Sequence, residues 1–185
     1  MARLSLHYER AFQAFLLARR VPFVAVSEAR KALAPADGAQ PGAADGLKSF
    51  DFVLYGRPLN LLADVKGRKV PPTRHPGGRA RLESWVTAED VRSLERWERL
   101  FGPGFSGAFV FAYWCPDQPP DGLFQEVFAF EGAWYALRAV LLGDYKSRMR
   151  ARSAKWGTVD LPAAEFAALS HPLSPDWLAG ASRAG

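Results

Sequence analysis

The sequence predicts an α/β domain in which a mixed β-sheet is flanked by helices. Residues 49–68 are typical of two strands joined by a turn, because aromatic and β-branched runs lie on either side of Gly56, Arg57 and Pro58. Residues 107–114 form a near-continuous apolar run, which predicts a buried central strand. A helical pattern lies between these strands, and this order indicates a β-α-β unit.

The chain before this unit is predicted to form a helix, a strand and a loop. Ser5 can cap a helix from Leu6 to Arg20, whose apolar stripe consists of Tyr8, Ala11, Phe12, Phe15 and Leu16. A strand from Val21 to Val26 follows. Residues 27–48 are rich in Ala, Gly and Pro without apolar periodicity, so we expect a flexible loop there.

The remaining elements follow from capping and turn signals. Thr87 is expected to cap the crossover helix, with Asp90 in the capping-box position and the helix ending near Phe101. Residues 123–130 and 133–140 are predicted to form a hairpin. Residues 158–161 are expected to be a short strand or linker. Pro162 opens a last helix that ends near Leu169, and residues 180–185 are expected to be a frayed tail.

Composition bounds the class of protein. The 185 residues suit a single domain spanning 1–185, and the net charge of +5, mostly from arginine, favours polyanionic partners. Cys115 is the one cysteine, which excludes an internal disulfide and a cysteine-based zinc cluster. The sequence contains no apolar run long enough for a membrane span, and Glu9 and Arg10 interrupt any signal-peptide pattern. We therefore expect a cytoplasmic protein without membrane contact.

Charged residues on the predicted hairpin suggest a functional site. Strand alternation places Asp64 and Lys66 on the face opposite Ala63 and Val65. If the two strands pair, one register brings Asp51 of the first strand to the same place. Charges on a largely apolar hairpin are unfavourable unless they are paired or bind a metal.

This arrangement resembles the PD-(D/E)xK nuclease superfamily, which includes restriction-endonuclease-like and Holliday-resolvase-like proteins. Phe50 stands where the family has proline, and Asp64 stands where glutamate is commoner. The resemblance implies a restriction-endonuclease-like core and Mg²⁺- or Mn²⁺-dependent hydrolysis of nucleic-acid phosphodiester bonds. It also implies that Asp51, Asp64 and the carbonyl of Val65 hold the metal, and that Lys66 orients water or stabilises developing charge.

The first helix adds a further candidate and a second resemblance. A glutamate of this helix often faces the metal site in the nuclease family, and Glu9 is the corresponding residue; a solvated or ion-paired carboxylate is an equal alternative. Residues 7–12 also resemble the H-Y-E-x-A-F-E signature of an uncharacterised bacterial family, from which Gln13 departs. A lone histidine such as His7 is more often structural than functional.

Two basic clusters are candidates for contact with a nucleic-acid backbone. The first lies in residues 67–86, predicted to be a flexible loop, and contains Arg68, Lys69, Arg74, Arg79 and Arg81. The second contains Lys146, Arg148, Arg150 and Arg152, which would form a positive surface in a strand or in a helix. Both clusters are also compatible with plain solvated charge. Tyr145 and Trp156 flank the second cluster and could stack on bases or belong to the core.

Three functions remain open from the sequence. The first is a Mg²⁺- or Mn²⁺-dependent nuclease with DNA favoured over RNA, for which a homodimer is one assembly that the resemblance allows. The second is a nucleic-acid-binding module on the same fold without catalysis. The third is a small-molecule-binding or protein-interaction domain in which Asp64 and Lys66 form a structural ion pair.

Overall fold

The computed structural model describes residues 3–26, 48–57, 59–70, 82–117, 119, 123–124, 126–174 and 177, with side chains from residue 7 onward. Outside these ranges lie residues 27–47 of the loop predicted at 27–48, the basic residues Arg74, Arg79 and Arg81, and the tail at 180–185. Across the described residues, the helices are α1 (Arg3–Ala18), α2 (Ala88–Phe101), α3 (Leu142–Arg148) and α4 (Ala163–Leu169). The strands are β1 (Phe23–Ala25), β2 (Phe52–Leu54), β3 (Asn60–Lys69), β4 (Val86–Thr87), β5 (Phe105–Cys115), β6 (Phe128–Phe130), β7 (Ala133–Leu141), β8 (Arg150–Ser153), β9 (Thr158–Asp160) and β10 (His171–Pro172).

The main sheet is mixed, as the sequence predicted. Its strands follow the order β1-β2-β3-β5-β7-β10, and β6 also pairs with β7. β3 and β5 are parallel from Asn60 opposite Phe105 to Lys69 opposite Trp114, and the other pairs of this sheet are antiparallel. The parallel pair is joined through α2, which confirms the β-α-β unit, because parallel neighbours need a crossover connection.

Helices cover both faces of this sheet. On one face, α2, α3 and α4 bury Leu94, Tyr145 and Phe166 against the strands. On the other face, α1 buries Phe12, whose ring lies 5.1 Å from that of Phe52. Each fully buried side chain of this size contributes about 1.5–3 kcal/mol to folding. The two cores hold the central strand β3 from both sides.

Local signals fix the ends of several elements. Thr87 accepts a hydrogen bond from the Asp90 amide while the Asp90 side chain accepts one from the Thr87 amide, so the predicted capping box is present. Gly102, with φ of 78°, follows the end of α2. The hairpin of β6 and β7 turns at Glu131 and Gly132, which both have positive φ, as type I′ turns require.

Several predicted bounds differ from the structure. Helix α1 begins at Arg3, so Ser5 lies within the helix and does not cap it. The predicted strand at 123–130 is shorter and spans Phe128–Phe130.

The loop with the first basic cluster and the second basic cluster also differ from the prediction. Residues 67–69 belong to β3, so the predicted loop at 67–86 begins later than the sequence indicated. A Cβ at Gly67 would overlap the ring of Tyr8, and this close contact with α1 explains a glycine inside a strand. The second basic cluster does not form one regular element, because α3 ends at Arg148 and β8 begins at Arg150.

A small second sheet accounts for the latter difference. It has the order β4-β9-β8, with all pairs antiparallel. β9 confirms a short strand at residues 158–160. Within the described part of the chain, no helix is long and apolar enough to cross a membrane.

Candidate active site

The pairing of β2 with β3 sets Asp51 beside Asp64. Phe52 lies opposite Ala63 in the register, and the Asp51 amide donates to the Ala63 carbonyl at 3.0 Å. Two residues further along β3, the Val65 amide donates to Oδ2 of Asp51 at 2.7 Å. The Asp51 carboxylate therefore accepts a hydrogen bond from a β3 amide directly before β2 begins. Alternation places Asp51 on the side of Val53, which packs in the core on the α2 face.

Lys66 joins two buried carboxylates on the α2 side of β3. Its Nζ lies 2.8 Å from Oδ2 of Asp64 and 3.3 Å from Oδ2 of Asp90. Both aspartates are only 7% exposed. Such buried ion pairs stabilise the fold only when their remaining polar atoms are also satisfied, because removing charge from water is unfavourable.

Lys48 extends this arrangement to the surface. Its Nζ lies 3.0 Å from Oδ1 of Asp90 and 3.5 Å from Oε2 of Glu89, which is half exposed. Five side chains thus form a continuous ion-paired chain, in the order Glu89, Lys48, Asp90, Lys66 and Asp64. We call this set the ion-pair chain. It links the first turn of α2 to the middle of β3.

The pKa values of the three aspartates diverge. Burial raises the pKa of Asp51 to about 7, and the neighbouring Asp64 carboxylate adds to this rise. Burial also raises the pKa of Asp64, although the Lys66 ammonium opposes the change. For Asp90, burial is outweighed by the charge of Lys66 and by hydrogen bonds with Thr87, which lower its pKa to about 2. The lysines therefore stabilise the ionised form of Asp90 far better than that of Asp51.

Glu9 approaches this cluster from α1. The helix packs on the opposite face of the sheet from α2, but the charge of Glu9 contributes to the raised pKa of Asp51. His7 lies one helical turn before Ala11 on α1, and its Nδ1 is hydrogen-bonded to the Tyr135 hydroxyl at 2.9 Å.

The carboxylates of this site suit a cation that keeps several water ligands better than a cation coordinated by protein atoms alone. In the described ranges, no group of three His, Cys, Asp or Glu side chains has the arrangement of a metal site. However, Asp51 and Asp64 are close enough for each carboxylate to influence the other, and their charge is not fully neutralised by Lys66. Mg²⁺ typically takes one or two carboxylates and completes its coordination with water and phosphate. The residues present fit this mode of binding.

The first basic cluster is partly occupied by contacts within the protein. Arg68 donates to the backbone carbonyls of Gly67 and Trp85, and its guanidinium lies 4.0 Å from the centre of the Trp85 ring. Burial lowers the pKa of Arg68. Lys69 is exposed, and its Nζ lies 5.0 Å from the centre of the Trp114 ring. Of these two, Lys69 is the more accessible to a nucleic-acid backbone.

The second basic cluster is spread over two elements. Each member has an acidic neighbour: Glu95 for Lys146, Glu165 for Arg148, Asp160 for Arg150 and Glu83 for Arg152. The four basic side chains are 37–62% exposed, so these pairs are weak in water. Tyr145 is fully buried and belongs to the core, whereas Trp156 is 72% exposed.

The sequence did not single out Asp90, Lys48 or Trp85 as site residues. Asp90 was interpreted as a capping residue, which it is, but it also neutralises Lys66. The sequence did contain a signal that Asp90 is buried, because it precedes Val91 and lies four residues before Leu94, at the border of the buried face of α2. Lys48 lay at the end of a predicted loop, where nothing in the local pattern indicates its partner.

Comparison with known proteins supports the fold. No family model and no curated protein matches the chain, so the resemblance of residues 7–13 to the H-Y-E-x-A-F-E family is unsupported. The structure is similar to that of Archaeoglobus fulgidus Hjc, a Holliday junction resolvase from an archaeal hyperthermophile. The two share 14% sequence identity with a TM-score of 0.51, covering 95% of this chain and 94% of that chain. The chain therefore has the restriction-endonuclease-like fold, a central mixed sheet flanked by helices.

Proposed function

We propose that this chain is a divalent-metal-dependent nuclease that hydrolyses phosphodiester bonds in nucleic acid, with DNA as the favoured substrate. The observation that supports this most directly is the convergence of Asp51, Asp64 and Lys66. It occurs on a fold shared with a Holliday junction resolvase. A buried pair of acids with raised pKa values beside an amine is more typical of a functional site than of a structural ion pair.

Asp51 and Asp64 would hold Mg²⁺ or Mn²⁺, with the Val65 carbonyl as a further ligand. The bound ion would activate water and neutralise charge on the phosphate. Lys66 would donate to a phosphate oxygen as charge develops, while its ion pairs with Asp64 and Asp90 hold the amine in position. Glu9 would order the attacking water or a second metal from the α1 side.

Incubation of the purified chain with labelled single-stranded, duplex and four-way-junction DNA, and with RNA, tests this proposal. We expect cleavage that requires Mg²⁺ or Mn²⁺. Asp64→Ala and Lys66→Ala should each lower the rate by about 10²–10³-fold. Asp117→Ala is a matched control, because Asp117 is an exposed acid beyond the end of β5. Unchanged rates in both site variants would remove the proposal.

A catalytically inactive nucleic-acid-binding module is the second candidate. Two observations favour it: the described residues contain no three-ligand acidic group, and Asp64 and Asp90 both share Lys66. This alternative predicts salt-dependent binding without cleavage at any ion concentration. A homodimer and a cytoplasmic location remain predictions from the sequence under either function.

A further inference from the structure

A groove of about 390 Å³ lies between residues 82–85 and the small sheet, apart from the ion-pair chain. Its charged and aromatic lining residues are Glu83, Trp85, Arg150, Arg152 and Asp160. Sites for small ligands are commonly about 300–1,000 Å³, so this volume suits one unit of a polymer and not a duplex.

One wall of the groove is fixed to the core. The Tyr113 hydroxyl donates to the Glu83 carbonyl at 2.8 Å, and the Tyr145 hydroxyl donates to the Ser84 carbonyl at 2.7 Å. Arg68 donates to the next carbonyl, that of Trp85. Three consecutive carbonyls are thus held by donors from the main sheet and α3. A wall held in this way needs little ordering when a ligand binds.

The arginines on the other side retain donors for a phosphate. Arg150 contacts Asp160 through Nε at 3.1 Å, and Arg152 contacts Glu83 through Nη2 at 3.5 Å. A guanidinium carries five N–H donors, so these single contacts leave most of them available. Arg152 also lies 5.1 Å from the centre of the Trp85 ring, and its exposed pairing with Glu83 is weak. A phosphate can therefore draw Arg152 away from the indole.

Arg68 of β3 connects the candidate active site to one wall of the groove. It follows Lys66 by two residues on the same face of the strand, a spacing of about 7 Å, and its guanidinium lies 4.0 Å from the centre of the Trp85 ring. Trp85 lines the groove, so a strand with one phosphate at the acidic cluster is expected to continue toward it.

We infer that the groove binds one nucleotide of a single-stranded segment, with its phosphate on Arg150 and Arg152 and its base on Trp85. Proteins that hold single strands without sequence preference combine cationic side chains on the backbone with aromatic rings on the bases, and the groove offers two arginines beside an indole. Glu83 and Asp160 balance the charges of these arginines, so a phosphate competes with them for the guanidinium donors. The position of this nucleotide next to the scissile phosphate rests on the proposed nuclease function. It specifies a substrate with an unpaired segment beside the cleavage site.

Binding of a short fluorescent oligothymidylate, measured by anisotropy without divalent metal, tests the phosphate contacts. Arg150→Gln and Arg152→Gln should each weaken binding by about tenfold, as expected for loss of a charge-assisted hydrogen bond. Arg99→Gln is the matched control, because Arg99 is an exposed arginine of α2 that belongs to neither basic cluster and does not line the groove. Equal weakening in all three variants, or in none, would overturn the inference.

An abasic strand of the same length tests the base contact without altering the protein. The wild-type chain should bind it about tenfold more weakly than oligothymidylate, the effect expected for one lost stack. In Trp85→Leu the two strands should bind alike. Equal affinity of the wild-type chain for both strands would refute the base contact, whether or not the Trp85 variant folds.

The two proposals fail in different ways. Absence of cleavage with every substrate, together with the predicted groove pattern, would remove the nuclease and the link to a scissile phosphate but retain the binding site. Metal-dependent cleavage with unaltered single-strand binding in both groove variants would retain the nuclease and remove the groove.

Discussion

Asp51→Asn should stabilise the protein at neutral pH. The carboxyl of Asp51 has a pKa of about 7 in the folded protein against 3.8 when unperturbed, because it is buried beside Asp64. At about 1.36 kcal/mol per pKa unit, ionising this group costs roughly 4 kcal/mol of folding free energy above pH 7. Asparagine removes the charge, and its side-chain oxygen can still accept the hydrogen bond from the Val65 amide.

The sign of the pH dependence follows from proton binding. Between about pH 4 and 7 the folded state holds a proton on Asp51 that the unfolded state has released, so the stability of the natural protein falls as pH rises. We therefore expect no difference between Asp51→Asn and wild type near pH 4. The difference should grow to a few kcal/mol near pH 8.

Urea unfolding at a series of pH values measures this difference directly. Asp117→Asn is the control, since it removes one exposed carboxylate away from the cluster and should leave the pH profile unchanged. Mg²⁺ should stabilise the natural protein above pH 7 and have less effect on Asp51→Asn, because the variant lacks one proposed ligand. A variant that is equally stable or less stable than wild type at pH 8 would refute the assigned electrostatic environment.

Three further predictions follow. Asp90→Ala should lose about 2 kcal/mol of stability above pH 4, and this electrostatic part of the loss should shrink as the pH falls toward 2, because the lowered pKa of Asp90 stabilises the folded state only while the carboxylate is ionised; acid denaturation measures this. Gly67→Ala should lower the urea midpoint, with a cost of about 1–3 kcal/mol, because the new methyl overlaps Tyr8. If the nuclease proposal holds, the metal-dependent rate should rise up to about pH 7 and then level off as Asp51 ionises; a flat profile between pH 5 and 8 would contradict the role of Asp51.

The Asp90 carboxylate of the ion-pair chain has two structural roles. It accepts a hydrogen bond from the Thr87 amide in the capping box of α2, and it forms an ion pair with Lys66 on β3. Helix position and amine position are therefore coupled. This coupling explains why Asp90 is strongly stabilised as an anion while Asp51 is not.

The sequence alone was sufficient for features set by neighbours along the chain. Strand alternation placed Asp64 and Lys66 on one face, and the register of β2 and β3 then brought Asp51 beside them, as the hairpin pattern predicted. The capping box at Thr87 and the β-α-β order were also predictable from the sequence. These features depend on side-chain periodicity and on hydrogen bonds within a few residues.

Charged segments were harder to interpret from the sequence. Every second residue of 146–152 is basic, so the segment has no apolar periodicity that distinguishes a helix from a strand. Helix α3 forms because Tyr145 buries its ring against the core, and β8 forms because β9 supplies a pairing partner. Neither cause is local.

Tertiary structure alone decided which charges meet. Lys48 and Asp90 are 42 residues apart, and the groove joins residues 82–85 to residues 150–163. An ion pair or a groove wall is a contact across space, and its energy depends on burial and on the positions of all nearby charges. The sequence therefore determined the strands, the cap and the face of the acids, whereas folding determined their neutralising partners and the surface beside them.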